Sequence, residues 1–247
     1  MNKFCFFITF CFLIVSCEKA NERSCLKKSG EVASKILNPG EFTRLYLKEH
    51  LNYVLVQDTV SYVVIKGGKN LIDFVECSIS ENELTISNNN KCKFLRYKTG
   101  TITAEIHFRS ISYLTYQGTQ ILENRSDWNF NELIILLKDA GGSMVLSNFH
   151  GKSFNLFNSH GWGDITLSGS ADYFLADLNG NGYFDSRNFS VKDSISLITN
   201  SSTLSKLNAS NCLLKAQLRA TGDIWYYGFP IQIWKQELGS GKLIDKN

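Results

Sequence analysis

Proline is almost missing from this chain. There are 2 Pro in 247 residues, against 18 Gly. Proline cannot donate to a strand ladder, so its scarcity leaves long segments free to pair on both edges. Histidine is sparse too. The four, His50, His107, His150 and His160, show no metal-ligand spacing. No two cysteines stand as C-x-x-C, and no Ser or Cys lies in a nucleophile-elbow context. Charge is modest: 26 Lys+Arg against 23 Asp+Glu give +3. The basic residues are scattered, which argues against a nucleic-acid partner. No cofactor is expected.

The N-terminus carries an address. Lys3 precedes a 12-residue apolar run, Phe4 to Val15, that ends in Ile14-Val15-Ser16-Cys17. A basic start, a short apolar core and a small residue before a cut site make a secretory signal over residues 1–16. The run is too short for a permanent span, which takes roughly 20 residues. The cysteine after a small residue resembles a bacterial lipoprotein signal. That resemblance implies a lipidated Cys17 as the mature N-terminus and a membrane as the first partner. Two or three acyl chains hold a protein stably where one does not. Residues 17–39 are largely polar and read as a tether. The expected place is the bacterial cell envelope, at the outer rather than the inner membrane, with the face left open.

The rest of the chain is organised by a ladder. Turns at 119, 142, 163, 182, 202, 222 and 241 are 23, 21, 19, 20, 20 and 19 residues apart. Two positions after each turn stands an apolar residue: Ile121, Met144, Ile165, Phe184, Leu204, Ile224 or Leu243. A second apolar segment with period near two follows in most units, as in Phe154 and Leu156 or Ile195 and Leu197. A repeat of about 20 residues built of strand and turn predicts an all-β chain, a β-solenoid resembling a parallel β-helix. The corner glycines have two candidate reasons, a positive φ or a close backbone approach. Residues 40–114 read as lead-in strands that cap the solenoid, and 115–247 as its coils, so 40–247 form one head domain. Within the lead-in, Val63-Val64-Ile65 suggests a strand buried on both faces, and Leu71 to Val75 a further strand.

The order of motifs is similar to a known family. Tyr53-Val54-Leu55-Val56-Gln57, Leu71-Ile72, Glu83-Leu84-Thr85-Ile86 and Asn90-Lys91-Cys92 come first. The Gly-x-Gly turns at 161–163, 180–182 and 239–241 follow, and then Gly222-Asp223-Ile224-Trp225-Tyr226-Tyr227-Gly228-Phe229-Pro230. Together they resemble the autotransporter-adhesin head domain called GIN, found in bacterial secreted proteins and lipoproteins. The resemblance implies a β-helix-like fold, no established enzyme activity and no catalytic residues to carry over. Ser201-Ser202 and Ala220-Thr221-Gly222 depart from it by losing the paired glycines.

Four sets of residues are candidates for chemistry. Asp177, Asn179, Asn181 and Asp185 match the first positions of an EF-hand-type calcium loop, but Asn188 stands where the closing Glu belongs. A solenoid corner rich in turn formers is the preferred reading. Asp164 and Asp223 share a register and could serve a polysaccharide-cleaving β-helix enzyme, though solvated turn aspartates are preferred. Trp162, Trp225, Tyr226, Tyr227 and Trp234 read first as core aromatics and second as a sugar-stacking strip. Cys25, Cys77, Cys92 and Cys212 allow three pairings, with Cys77–Cys92 favoured across a hairpin; the alternative is buried free thiols. Sequons opening at Asn124, Asn188, Asn200 and Asn208 read as chance. The expected function is a lipid-anchored envelope head that binds a glycan or a surface protein, with its ligand and oligomeric state open. The alternatives are a polysaccharide-degrading enzyme and a structural envelope component.

Overall fold

Phe154, Leu156 and Asn158 are buried, while Asn155 and Phe157 between them face outward. Repeated in every unit, this alternation demands an interior on one side of each strand and water on the other. Winding the chain into a solenoid satisfies it. The computed structural model describes residues 28–48, 50–91 and 101–247, as an almost all-β solenoid of about six turns. Cys17, Cys25 and Cys92, and the signal over 1–16, lie outside the described residues.

The first strands, in chain order, are β1 (Val32–Leu37), β2 (Arg44–Leu47), β3 (Asn52–Gln57) and β4 (Tyr62–Gly68). A helical turn α1 (Lys69–Ile72) leads to β5 (Val75–Ser80), β6 (Glu83–Asn88) and β7 (Thr103–Phe108). The solenoid continues through β8 (Tyr113–Tyr116), β9 (Leu122–Asn124), β10 (Trp128–Lys138), β11 (Met144–Ser159), β12 (Ile165–Leu178) and β13 (Phe184–Thr199). It ends with β14 (Ser205–Asn208), β15 (Leu213–Leu218), β16 (Ile224–Tyr227), β17 (Gln232–Glu237) and β18 (Leu243–Asp245). The longest strands, β11 to β13, bend at register shifts and serve two walls each.

Two parallel walls face one interior. In the first, one inward column runs Ala104, Tyr53, Leu122, Met144, Ile165, Phe184, Ser205, Ile224, Leu243. In the second, one runs Leu84, Leu45, Leu114, Ile135, Leu156, Ala176, Leu197, Ala216, Lys235. The expected anchors Ile121 and Leu204 are therefore each one residue off. Leu122 and Ser205 hold the column, while Ile121 is 37% exposed. Placing Leu204 inward would turn Lys206 inward too; the observed register buries Leu207 and Ala209 instead. At the bend between the walls, Phe149, Phe154, Phe174 and Phe189 pack ring on ring at centroid distances of 4.9–6.1 Å.

The corner glycines answer a crowding problem, not a torsional one. A Cβ on Gly163 would lie 1.9 Å from the carbonyl oxygen of Gly142, and one on Gly182 would lie 2.0 Å from that of Gly163. Neither residue is among those with positive φ. The coil that lacks the glycine pair uses hydroxyls instead. Thr203 Oγ1 donates to the Gly182 carbonyl at 2.8 Å and lies 2.8 Å from Ser201 Oγ.

The N-terminal cap departs from expectation in three ways. Within the stretch expected as a tether, Val32–Leu37 forms β1, which pairs antiparallel with β4, as its own alternation of Ala33 and Leu37 toward the core permits. Leu71 and Ile72 are buried from the helical turn α1, not from a strand. Val63 and Ile65 are buried but Val64 is only half-buried, so β4 faces the core on one side. Chain order is also not spatial order. β2 lies between β6 and β8, and β3 between β7 and β9.

The far end closes differently. The inward positions of β17 that stack on Ala216 and Leu218 are Lys235 and Glu237. Lys235 Nζ lies 3.3 Å from Glu237, and Lys242 Nζ lies 3.1 Å from it. Inward charge on a last strand blunts further stacking.

Candidate binding surface

The aspartates considered for catalysis are corner braces. Asp164 Oδ1 accepts the Tyr183 backbone N–H at 2.9 Å, and Asp223 Oδ1 accepts that of Lys242 at 2.8 Å, each one coil further on. Ile165 and Ile224, the residues after them, are three rungs apart in one column. That is roughly 14 Å at about 4.8 Å per rung, beyond the ~5–9.5 Å of carboxylate pairs in glycoside hydrolysis.

The calcium-loop candidates are dispersed in a similar way. Asp177 accepts from Asn179 Nδ2 at 2.9 Å, and Asn181 accepts from Ser202 Oγ at 3.1 Å. Asp185 pairs with Arg187 at 2.7 Å. Burial raises the Asp185 pKa, and the Arg187 bonds outweigh it and hold the carboxyl below its usual range. Among the described residues, no group of three His, Cys, Asp or Glu is arranged to hold a metal.

The densest polar cluster lies elsewhere, on the outer side of the first wall. His107 Nδ1 lies 2.9 Å from Asp58 and Nε2 lies 3.1 Å from Glu105. Lys66 and Arg125 donate to Glu105 at 2.8 and 2.6 Å. Tyr62 stacks on the imidazole at 4.0 Å. Carboxylates only accept, so both ring bonds are complete when the imidazole carries both protons. Burial would raise the Glu105 pKa; bonds from Lys66, His107 and Arg125 overcome it and bring it down to about 2. Every member is engaged, so the cluster reads as a clamp joining β3, β4, β7 and the segment after β9. Sequence spacing could not expose it, because Asp58, Lys66, Glu105 and Arg125 meet only through the pairing of β4 with β7 and of β3 with β7 and β9.

The aromatics divide into three groups. Tyr226 is 8% exposed and belongs to the core, as expected. Trp225 is half-buried, with the ammonium groups of Lys246 and Lys206 at 4.2 and 5.7 Å from its ring. Trp162 at 71% and Trp234 at 47% exposure are not core residues at all. They stand on a corner and on the second wall, so no single strip joins them.

Among the described residues, the outer surface carries concavities of different size. One, of about 660 Å³, lies where β10 begins, beside Thr43, Ser110, Asn129, Phe130, Asn131 and Glu132. The Phe130 ring lies over Gly151, where a Cβ would approach it to 2.1 Å. The side chains of Ser110, Asn131 and Glu132 make no hydrogen bond or ion pair among the described residues. Another, of about 190 Å³, is walled by Ser196, Ile198, Lys215, Gln217 and Trp234 near the C-terminal end. Both are open to solvent and lined by a mixture of polar and apolar groups, the smaller one mainly apolar, suited to a ligand that lies along a surface and not to one enclosed.

The cysteines within the described residues, Cys77 and Cys212, are free thiols. Burial pushes each up to about 11, which makes them inert apolar fillers.

The comparisons agree with this architecture. A putative adhesin from Bacteroides fragilis NCTC 9343 superposes with a TM-score of 0.79 at 17% identity, covering 87% of this chain and 97% of that one. A putative adhesin from Parabacteroides distasonis ATCC 8503 gives 0.61 at 18%, covering 88% and 98%. A putative lipid binding protein from the same organism gives 0.59 at 16%, covering 87% and 98%. At such identities the likeness establishes the fold. No curated protein sequence matches. Residues 41–230, most of the head, match the family described as putative auto-transporter adhesin, head GIN domain, and the chain belongs to it.

Proposed function

We propose that this chain is a lipid-anchored bacterial envelope head that acts by binding, in adhesion or surface recognition. The family supports an adhesin-like surface or envelope protein. The anchor at Cys17 rests on the Ile14-Val15-Ser16-Cys17 signal. The observation that carries the binding reading is the groove of about 660 Å³, with side chains of Ser110, Asn131 and Glu132 left uncommitted. Polar groups that a fold neither pairs nor buries are available to an outside ligand, and amides, hydroxyls and one carboxylate suit the hydroxyls of a glycan or the backbone of a protein.

Three measurements test the reading. Cells expressing the chain, labelled with radioactive palmitate, are expected to carry label on the native protein and none on Cys17→Ala. Label retained by the variant would remove the anchor from the proposal. Binding to an array of glycans and surface proteins is expected, and Asn131→Ala with Glu132→Ala should weaken it about tenfold, the loss of roughly 1.4 kcal/mol. Turnover of a polysaccharide that Asp164→Ala abolishes would replace binding with catalysis.

A further inference from the structure

We infer that the concavity beside Trp234 is a subsite for a carboxylated sugar, with the Trp234 indole as stacking platform and Lys215 as partner of the carboxylate. The inference rests on the binding reading above and names a ligand class for a second site on the same surface.

The site is built from three successive rungs of the second wall. Ser196 pairs with Lys215, and Lys215 with Trp234, so the three side chains point outward in one column. Trp234 is half exposed. Its ring has no aromatic or cationic neighbour among the described residues, unlike Trp225, which lies beside two ammonium groups. An indole face left open to water presents an apolar plane that matches the C–H face of a pyranose. Lys215 forms no ion pair among the described residues, and no carboxylate lines the concavity.

The rim is ordered by a relay. Arg219 Nε donates to Gln217 Oε1 at 3.0 Å, and Gln217 Nε2 donates to Gln236 Oε1 at 2.6 Å. The relay fixes the Gln217 amide, which lines the concavity, and ties it to Gln236 and Arg219 outside the lining. The Ser196 hydroxyl in the lining and the Gln236 amide N–H beyond Gln217 remain to donate to sugar hydroxyls. A concavity of about 190 Å³ holds a single ring and not a folded chain. One lysine with no acid in the lining favours an anion, and the aromatic plane favours a sugar over an inorganic one.

The test is titration calorimetry on the full chain in detergent. The panel holds galacturonate, glucuronate and sialate oligosaccharides, their methyl esters and neutral counterparts. At least one acidic glycan is expected to bind and to quench tryptophan fluorescence, with its methyl ester about tenfold weaker, as expected for one charge-assisted contact. Trp234→Ala should cost about tenfold. Lys215→Gln should bring acid and ester to the same affinity, while Trp225→Phe leaves binding unchanged. Circular dichroism confirms that each variant is folded. Failure of every acidic glycan, equal binding of acid and ester by the native chain, or a neutral Trp234→Ala would overturn the subsite. None of these results bears on palmitate labelling or on ligands of the larger groove, so the wider reading stands or falls separately.

Discussion

At the residue scale, the corner glycines make a sharp contrast. Gly163→Ala would set a Cβ 1.9 Å from a carbonyl oxygen of the coil before it, so two coils must part. A loss of about 2–4 kcal/mol is expected in urea unfolding. Gly141→Ala meets nothing nearer than 3.9 Å and has no positive φ. It should be neutral or stabilising by about 0.4–1 kcal/mol, through a less flexible unfolded chain. The clamp carries a pH dependence of definite sign. Glu105 is depressed to about 2 in the folded chain, so its stabilisation is complete above the ordinary glutamate range. It fades as pH falls from about 4.3 toward 2. Glu105→Gln should flatten that acid limb in melts recorded across this window. The sequence announced the glycines and offered close approach as one of two reasons, but it could not choose between them, since the distance from one coil to the next is invisible in one coil's residues. It gave no sign of the clamp, whose members are scattered from Asp58 to Arg125.

At the scale of the strand, the ladder was legible because period-two burial survives wherever both neighbours are present. Met144, Ile165, Phe184 and Ile224 fell in the expected column. The two misplaced anchors came from turns of unequal length, where hydrophobicity at one position is outvoted by the alternation that follows. Lys206 and Glu123 cannot face the interior, and they fix Ser205 and Leu122 there. The helical turn at Lys69–Ile72 escaped because two buried apolar residues fit a strand as well as a short helix. The last strand of the second wall, β17, offers a test of its own. Replacing Lys235 and Glu237 with leucine would extend the apolar columns to an open edge. Concentration-dependent association is expected by light scattering, with the native chain unchanged over the same range.

At the scale of the whole molecule, the head is a row of coils sharing one interior, and its middle is supported on both sides. Amide hydrogen exchange should therefore be slowest in β11, β12 and β13 and fastest in β17 and β18. Uniform protection along the row would contradict that picture. The overall class, an all-β solenoid with a strand-rich cap, could be read from the repeat alone. The binding surfaces could not. Trp234 and Lys215 are 19 residues apart, and only the rung they share makes them neighbours.

The order in which strands stack has a bearing on how the protein is made. In a simple solenoid each coil can settle on the one emitted before it. Here β2 and β3 leave the ribosome early, yet their parallel partners lie between residues 83 and 124. Long-range closures of this kind delay folding. β2 and β3 must stay unpaired until roughly a hundred residues have emerged, which would leave that part of the chain open enough to be threaded through a narrow pore.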